Sequence, residues 1–424
     1  FGRKKSYFKK VIIYSVEIII NGILSKSITQ RQFLQLVAQT SDTPLMVDVA
    51  YAKNCHIYDS NGKKYFDLIA GIGVSSVGHR HPNVIKAVKD QINKNLHVMV
   101  FGEFVQTPQV RLAEALSKTL PDPLECTYFV NSGSEATEGA LKLAKRYTNR
   151  FNIISCIDGY HGSSHGALSV SGNESLKQNF RPLLPNIQHI PFGDENALNL
   201  INMETAAVII ETVQGEAGVR TAKKKYFQEL SKRCKARGAL LILDEIQCGF
   251  GRTGKLWAFE HYNIQPDILL AAKGMGGGMP IGCFISSKEI MHSLRKNPAL
   301  GHITTFGGHP VSTAASLATL ETLLDENIID QVEKKALLFK SLLKHPNIKE
   351  IRNKGLLMGV EFESYDVLKR IIDRSLEVGI ITDWFLFCSN SMRIAPPLTI
   401  SEIEIREVCH KLLESIEWAS KRNN

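Results

Sequence analysis

From about residue 100, the chain alternates short apolar runs with longer amphipathic stretches. A short apolar run suits a strand buried on both faces, and an amphipathic stretch suits a helix that covers one of those faces. The alternation therefore predicts βαβ units around a buried, mostly parallel sheet, which is an α/β fold. The predicted strands are Thr127–Val130, Asn152–Cys156, Ala207–Glu211, Leu240–Asp244, Asp267–Ala271 and Cys283–Ser286, and the predicted helices are Ser134–Tyr147, Lys225–Arg237 and Pro310–Leu324.

The two ends of the chain follow a different pattern. Near the start, Cys55–Tyr58 and Lys64–Leu68 flank the turn signal Ser60-Asn61-Gly62 and predict a β-hairpin. Near the end, helical stretches mix with short strands at Gly359–Glu361 and Met392–Ile394. We therefore expect an extension at 1–28, a smaller α+β domain built from 29–95 and 326–424, and a large domain at 96–325.

The net charge of +9 is concentrated in the N-terminal segment rather than in the body of the chain. The run from Lys223 to Lys225 adjoins a predicted helix and is typical of a solvated face. We therefore expect no nucleic-acid partner. The basic residues without a nearby acid are Arg3, Lys4, Lys5, Lys9 and Lys10.

The apolar stretch from Val11 to Leu24 contains Glu17 and Asn21 and is too short to cross a bilayer as a helix. It resembles part of a signal peptide, but no small-x-small cleavage site follows it. We interpret residues 1–28 as an extension outside the fold and expect no membrane association. The eight cysteines are scattered, with no C-x-x-C pair and no histidine cluster at metal-ligand spacing, which indicates a reducing cytoplasm and no metal site.

The segment from Tyr128 to Lys142 reads as a strand, a turn of small polar residues and a helix. Such a helix start leaves backbone N–H groups unpaired at the positive end of the helix dipole, where a phosphate can bind. Capping of the helix by Ser132 or Ser134 explains the same residues equally well. This segment alone leaves both interpretations open.

The apolar run Leu240–Leu243 ends in Asp244 and Glu245. The carboxyl ends of strands line the ligand crevice of an open α/β sheet, so both acids are expected there. A Mg²⁺ site of a nucleotide hydrolase also uses an apolar strand that ends in Asp. The sequence has no phosphate-binding loop of the G-x-x-x-x-G-K-[ST] type, so we reject that alternative.

The run Asp267–Ala271 leads to Lys273 in a glycine-rich turn at the same predicted edge of the sheet. A lysine in that place is partly desolvated, which lowers its pKa and makes the neutral amine available for a Schiff base. Taken alone, Lys273 is explained as well by a phosphate contact or an ordinary edge lysine. Together, the lysine, Asp244 and the helix start fit the aldehyde, the pyridine nitrogen and the phosphate of pyridoxal 5'-phosphate (PLP).

These motifs resemble those of the class III aminotransferases, the fold-type-I PLP enzymes that include acetylornithine, ornithine and 4-aminobutyrate aminotransferases. The resemblance covers about residues 40 to 415. It implies a fold-type-I α/β architecture, a PLP cofactor and a homodimer. The matching stretches are Asp67–Gly73, Gly78–Pro82, Asn131–Ala136, Gly159–Gly162, Glu211–Glu216, Asp244–Gly254, Ala272–Gly274, Thr304–Gly308 and Arg393–Pro397.

The resemblance also implies a role for each matching residue. Lys273 would form the Schiff base and shuttle the proton, and Asp244 would pair with the pyridinium nitrogen. Arg393 would bind the substrate α-carboxylate, with Glu216 as a gate that pairs with it when another substrate end is bound; a simple inter-lobe salt bridge explains the same pair. The other implied cofactor contacts are Ser132, Gly133 and Ser134 to the phosphate, Tyr160 and Ile246 to the ring faces, Gln247 to the phenolic oxygen, and Thr305 of the neighbouring subunit to the phosphate.

The sequence departs from the pattern at Ser163. The acetylornithine, ornithine and 4-aminobutyrate branches usually carry Arg there, two positions after the residue that matches His161, and that arginine binds a remote carboxylate. The stretch Tyr160–Ser163 is more like the amine–pyruvate and diaminopelargonate types, whereas Ile72 and Asp244–Gly254 look closer to the acetylornithine and 4-aminobutyrate side. The substrate therefore stays open between these types.

We expect a ping-pong transamination in which a terminal amine of an amino acid is transferred to a 2-oxo acid. An aminomutase or racemase on the same scaffold is one alternative, and a non-catalytic binding protein is another. The presence of Lys273, Asp244 and Gln247 argues against the latter. His79 and His81 are interpreted as turn residues before Pro82 rather than metal ligands.

Overall fold

The computed structural model describes residues 27–100 and 102–421. Almost all of the predicted extension at 1–28 therefore lies outside the described residues. The described residues divide into a smaller compact unit, 27–51 with 57–64, and a larger one that comprises 52–56 and the described residues from 65 to 421. The domain boundaries expected at residues 95/96 and 325/326 stay predictions.

The smaller unit contains helix α1 and the tip of the predicted hairpin. Helix α1 (Ile28–Leu36) begins with a capping box in which the Ser27 hydroxyl accepts from the Gln30 amide and the Gln30 side chain accepts from the Ser27 amide. At the hairpin tip, the Asp59 side chain accepts from the amides of residues 61 and 63, as turn-forming aspartates do. The strands near this end of the chain are β1 (Val49–Lys53), β2 (His56–Asp59) and β3 (Lys64–Asp67).

The larger unit contains a seven-stranded sheet in the order β4-β10-β9-β8-β7-β5-β6. Its neighbouring strands pair in parallel, except that β10 pairs antiparallel with both β4 and β9. All six predicted strands are confirmed within one or two residues, and the strand at residues 187–190 was not predicted. The strands are β4 (Cys126–Val130), β5 (Asn152–Cys156), β6 (Ile187–Ile190), β7 (Thr205–Glu211), β8 (Leu240–Asp244), β9 (Ile268–Ala271) and β10 (Gly282–Ser286).

The centre of this sheet is buried on both faces. Every residue of β7 and β8 is buried, which is why both strands read as continuous apolar runs. The two strands pair in register, so that Glu211 at the end of β7 lies opposite Asp244 at the end of β8. The register therefore brings two acids together at the carboxyl edge of the sheet.

Helices flank the strands, as the alternation predicted. The three predicted helices are confirmed as Gly133–Thr148, Lys224–Arg237 and Pro310–Asp325. Further along, Lys273–Gly276 forms a single 3-10 turn after β9. The α-helices after α1 are α2 (Ala70–Gly73), α3 (Pro82–Ile92), α4 (Thr107–Ser117), α5 (Gly133–Thr148), α6 (His165–Val170), α7 (Lys224–Arg237), α8 (Lys288–Met291), α9 (Pro310–Asp325), α10 (Val332–Leu342), α11 (Tyr365–Glu377) and α12 (Glu402–Ser420).

The C-terminal part forms a second, antiparallel sheet in the order β11-β12-β15-β14. The predicted short strands are confirmed as parts of β12 and β15. Strand β13 pairs in parallel with β3 through Ile380 opposite Phe66 and Ile381 opposite Asp67. The strands are β11 (Glu350–Lys354), β12 (Leu357–Glu361), β13 (Ile380–Ile381), β14 (Trp384–Phe385) and β15 (Cys388–Ile394).

All eight cysteines are free thiols, and six of them are buried. Within the described ranges, no helix combines the length and apolar character needed to cross a bilayer.

Candidate active site

Four strands of the seven-stranded sheet deliver polar side chains to one edge. β4 leads into Ser132, β7 ends in Glu211, β8 ends in Asp244, and β9 is followed by Lys273. All four residues line one cavity of about 750 Å³. The predicted site residues that line it are Ser132, Gly133, Ser134, Tyr160, Ser163, Asp244, Ile246, Gln247 and Lys273.

Asp244 is held from two sides but keeps room for another partner. The side chain is buried, with His161 Nδ1 2.7 Å from one carboxylate oxygen and the Ile246 amide donating to the other at 3.0 Å. A carboxylate has about four acceptor positions. Asp244 can therefore accept a further hydrogen bond from a group in the cavity.

His161 lies behind Asp244 and was not predicted as a site residue. Its Nε2 lies 3.3 Å from Ser155 Oγ, and its backbone amide and carbonyl bond to Ser171 Oγ at 3.1 Å and Thr137 Oγ1 at 2.9 Å. Burial opposes the imidazolium form, but the hydrogen bond and charge of Asp244 outweigh burial and raise the pKa of His161. The contact between His161 Nδ1 and the Asp244 side chain also holds that side chain in place at the cavity wall.

Glu211 is a second buried acid at the same edge of the sheet. Its carboxylate accepts from the amides of Tyr160 at 3.0 Å and Gly215 at 3.1 Å. Burial raises the pKa of Glu211 to about 7, against the opposing charge of His161. Sequence reasoning passed over Glu211, although its position at the end of an apolar strand gave the same signal as that of Asp244.

Lys273 stands at the start of the 3-10 turn with a positive φ of 46°. A residue other than glycine in that region carries a backbone cost of about 1–3 kcal/mol and is found mainly at functional sites. Burial lowers the pKa of Lys273, and the charge of Arg393 lowers it further, against the opposing charge of Glu216. The neutral amine is thus more available than that of a solvated lysine, as the sequence predicted.

The start of helix α5 faces the same cavity. Ser132 is the N-cap, with its hydroxyl accepting from the Glu135 amide at 3.2 Å, so the capping interpretation holds for that residue. Ser134 bonds elsewhere, since its Oγ lies 2.7 Å from Ser164 Oγ and accepts from the Ser164 amide at 3.1 Å. Capping and anion binding are compatible, because the first turn of the helix still presents amides without intrahelical partners.

Two glycines keep this helix start compact. A Cβ at Gly133 would lie 2.8 Å from Ile246 Cδ1, and a Cβ at Gly162 would lie 2.5 Å from Ser134 Oγ. Gly162 also has a positive φ of 127°. A side chain at either position would displace groups that line the cavity.

Arg393 and Glu216 form a buried bidentate pair. Both guanidinium NH groups lie 3.0 Å from the Glu216 oxygens, and Gln247 Nε2 donates to the same carboxylate at 3.2 Å. Burial opposes the charge of Glu216, but Arg393 outweighs it and lowers the pKa of Glu216 to about 2. Asp383, which sequence reasoning missed, accepts from Arg393 Nε at 2.8 Å.

The remaining predicted site residues lie in different surroundings. Ser163 Oγ is 3.2 Å from the Tyr160 hydroxyl at the cavity wall. Ile72 is 42% exposed with a positive φ of 63°, and Thr305 is exposed. Among the described residues of this one chain, neither Ile72 nor Thr305 lines the cavity.

The cavity fits the cofactor that the resemblance implies. Lys273 supplies an amine of lowered pKa, Asp244 supplies a carboxylate with unused acceptor capacity, and the start of α5 supplies amides for an anion. The glycine positions leave space beside those amides. These are the three groups that PLP requires, and they come from three separate strand ends.

Comparisons with known proteins identify the family of this chain. The family described as "Aminotransferase class-III" matches residues 37–416. The acetylornithine aminotransferase of Methanopyrus kandleri is 37% identical over 373 residues, which cover 87% of this chain and 94% of that protein.

Solved structures of transaminases are also similar to this chain. The ornithine aminotransferase of Toxoplasma gondii ME49 superposes with a TM-score of 0.86 at 30% identity, covering 96% of this chain and 99% of that one. A second structure of the Toxoplasma enzyme has partial occupancy of PLP at its active site. A transaminase from the marine bacterium Virgibacillus gives a TM-score of 0.88 at 25% identity, covering 94% of this chain and all of that one. With most of its length matched, this chain belongs to the class-III aminotransferase family.

Proposed function

We propose that this transaminase moves the terminal amino group of a small amino acid or amine to a 2-oxo acid by a ping-pong mechanism. Class-III aminotransferases use PLP, and this chain is a PLP-dependent enzyme. The observation that carries the proposal is the meeting of Lys273 and Asp244 in one cavity beside the start of α5. When bound, PLP supplies an aldehyde that condenses with amines and a ring that accepts electron density.

Lys273 holds the cofactor and moves the proton. Its lowered pKa makes the free amine a nucleophile and a base, and the same amine can return the proton at a neighbouring carbon. Its place at the end of β9 keeps Nζ on the cavity side of a rigid sheet edge. A single group in a fixed position can therefore serve both directions of proton transfer.

Asp244 keeps the ring nitrogen protonated. A carboxylate that is buried and fixed by His161 favours a cation next to it. Tyr160 and Ile246 line the cavity on the walls beside this carboxylate, and Gln247 completes that side. We assign the ring faces to Tyr160 and Ile246 and the phenolic oxygen to Gln247.

Ser132, Gly133 and Ser134 hold the phosphate through the first turn of α5. Thr305 completes that site from a second subunit. Thr305 is exposed on its own chain, and its neighbours Ile303 and Phe306 are 52% and 53% exposed. Apolar exposure of this kind favours a homodimer, which light scattering during gel filtration tests by giving about twice the chain mass of 47.2 kDa.

Arg393 binds the α-carboxylate of one substrate, and Glu216 occupies Arg393 when the other substrate presents a different end. The bidentate Arg393–Glu216 pair is the geometry that a carboxylate would have to replace. Ser163, on the cavity wall, and Ile72, which lies outside the cavity lining of this one chain, are assigned to the remote end of the substrate.

An amine–pyruvate transaminase is the second candidate, and Ser163 is the observation that favours it. Ser163 lies beside the Tyr160 hydroxyl, and Lys273 is the sole Lys or Arg among the described residues that line the cavity. A remote carboxylate of glutamate would then lack a cationic partner in this part of the site. Donors and acceptors without a second carboxylate fit this wall better.

The test is a panel of amine donors against 2-oxoglutarate and pyruvate, with cofactor absorbance followed in each half-reaction. An amine donor alone should change the absorbance of the bound cofactor, and a 2-oxo acid added afterwards should restore the original absorbance. Release of a separate oxo product supports a transaminase, and retention of the amino group in a rearranged or racemised product would refute it. A strong preference for 2-oxoglutarate would overturn the argument from Ser163.

A further inference from the structure

Arg393 has two acidic partners rather than one. Glu216 takes both terminal NH groups, and Asp383 takes Nε at 2.8 Å. The guanidinium also lies over the Phe385 ring, with Cζ 4.5 Å from the ring centroid. Arg393 is 2% exposed, and one of its terminal NH groups also donates to the Trp384 carbonyl at 3.5 Å.

Glu216 and Asp383 are held near the arginine by different hydrogen bonds. Glu216 accepts from Gln247 Nε2 and from the Leu386 amide, both at 3.2 Å, in addition to Arg393. Asp383 follows β13, and its backbone carbonyl accepts from the Arg393 amide at 2.9 Å. Asp383 is therefore bonded to the arginine through its backbone as well as its side chain, whereas Glu216 lies 177 residues away, in the loop after β7.

Two carboxylates face one guanidinium, but their other charged neighbours differ. Glu216 also meets the charge of Lys273, whereas Asp67 adds to the negative charge that Asp383 meets. Burial raises the pKa of Asp383, while contact with Arg393 opposes that change. A substrate carboxylate that displaces Glu216 therefore still lies across the guanidinium from Asp383. The two negative charges repel each other in a site of low dielectric constant.

We propose that Asp383 is a specificity-determining residue that weakens the hold of Arg393 on substrate carboxylates and so favours substrates that present no carboxylate there. The proposal rests on the assigned role of Arg393 in binding the α-carboxylate. Asp383 acts through Arg393, which it positions by the Nε contact and whose charge it partly neutralises. The gate thus has two acids with separate tasks: Glu216 competes with the substrate, and Asp383 sets how strongly any carboxylate is held.

The test compares valerate with valeramide as inert probes of the holoenzyme by isothermal titration calorimetry. In Asp383→Asn, the amide oxygen can still accept from Arg393 Nε, but the negative charge is gone. The comparison is made in the Glu216→Gln background, because in the wild type the same change would also tighten the competing Arg393–Glu216 pair. Adding Asp383→Asn there should lower the dissociation constant of valerate on the order of tenfold and leave that of valeramide unchanged.

Asp373→Asn is the matched control, since Asp373 is an exposed acid paired with Lys369 and the substitution changes the net charge equally. Added to Glu216→Gln, it should leave both dissociation constants unchanged. Glu216→Gln alone separates the proposal from the role on which it rests, because it frees Arg393 directly and should tighten valerate binding. Tighter valerate binding in Glu216→Gln with no further change on adding Asp383→Asn would overturn the proposal alone. No valerate binding in any of these proteins would overturn the role of Arg393, and the proposal with it.

Discussion

Asp244 and Glu216 are both buried carboxylates near the same cavity, but they are held in opposite ways. Asp244 contacts a histidine and one amide and keeps acceptor positions free. Glu216 uses both oxygens on Arg393 and further bonds to Gln247 and the Leu386 amide. Asp244 is therefore fixed in place but can accept another hydrogen bond, whereas Glu216 is fully engaged in what we call a closed pair with Arg393.

The difference follows from how each region is built. The acid, the amine and the helix start around Asp244 come from neighbouring strand ends of one sheet, so their spacing is set by strand register. The Arg393 region joins β15 of the C-terminal sheet to the loop after β7. A rigid edge suits groups that must stay in place, and a closed ion pair between two sheets suits a contact that exchanges partners.

The largest expected effect is on turnover, when Lys273 at the rigid edge of the sheet is replaced. Lys273→Ala should lower turnover by about 10³-fold or more, since it removes both nucleophile and proton carrier. Folding should be retained, because the substitution removes no buried ion pair. The control is Lys288→Ala, which removes an exposed lysine paired with Glu125. Turnover near the wild-type level in Lys273→Ala would refute the assigned role.

The second prediction tests whether Asp244 acts as a fixed charge. Asp244→Asn keeps the shape but removes the charge, and we expect kcat to fall by about 10²–10³-fold. The same change should lower the pKa of His161, because Asp244 is what raises it. NMR titration of His161 measures that shift. A lower kcat with an unchanged His161 pKa would mean that the pair is not coupled as described.

The third prediction compares the two ends of the closed pair by stability. Arg393→Met leaves the buried Glu216 and the partly buried Asp383 without this cation and should destabilise the protein by about 3–5 kcal/mol. Glu216→Gln leaves Arg393 paired with Asp383 and should cost only about 1–2 kcal/mol. Calorimetric unfolding temperatures should follow that order. The reverse order would show that Glu216, rather than Arg393, anchors the cluster.

The smallest effect concerns pH, where Glu211 and Glu216 should act in opposite directions. The pKa of Glu211 is raised to about 7, so its contribution to stability is full below 4.5 and is lost as pH rises through 7. The pKa of Glu216 is lowered to about 2, so its contribution is present above 4.5 and is lost as pH falls toward 2. Between pH 5 and 8, Glu211→Gln should make the free energy of unfolding fall less steeply with pH, by up to about 1.4 kcal/mol per pH unit. An unchanged slope in that variant would contradict the account of Glu211.

Most of the sheet could be predicted from the sequence because buried parallel strands are apolar along their whole length. The strand Ile187–Ile190 was missed because its burial is uneven, with Gln188 exposed at the outer position of the sheet. Lys273 and Asp244 could be predicted because each follows an apolar run. That signal depends on local sequence alone.

His161 and Asp383 could not be predicted in the same way. His161 gains its role from a 2.7 Å contact across 83 residues, and Asp383 from a contact with an arginine in the neighbouring chain segment. Neither side chain carries a local pattern that sets it apart. Glu211 did carry such a signal, at the end of β7, and the register opposite Asp244 supplies the missing information.

The most direct test of the central claim is borohydride reduction of the holoprotein followed by peptide mass spectrometry. Reduction fixes the cofactor to the lysine that holds it. The account predicts the pyridoxyl mass on the peptide that contains Lys273. Its attachment to any other lysine, or a purified protein that takes up no PLP, would contradict the arrangement of amine, acid and helix start described above.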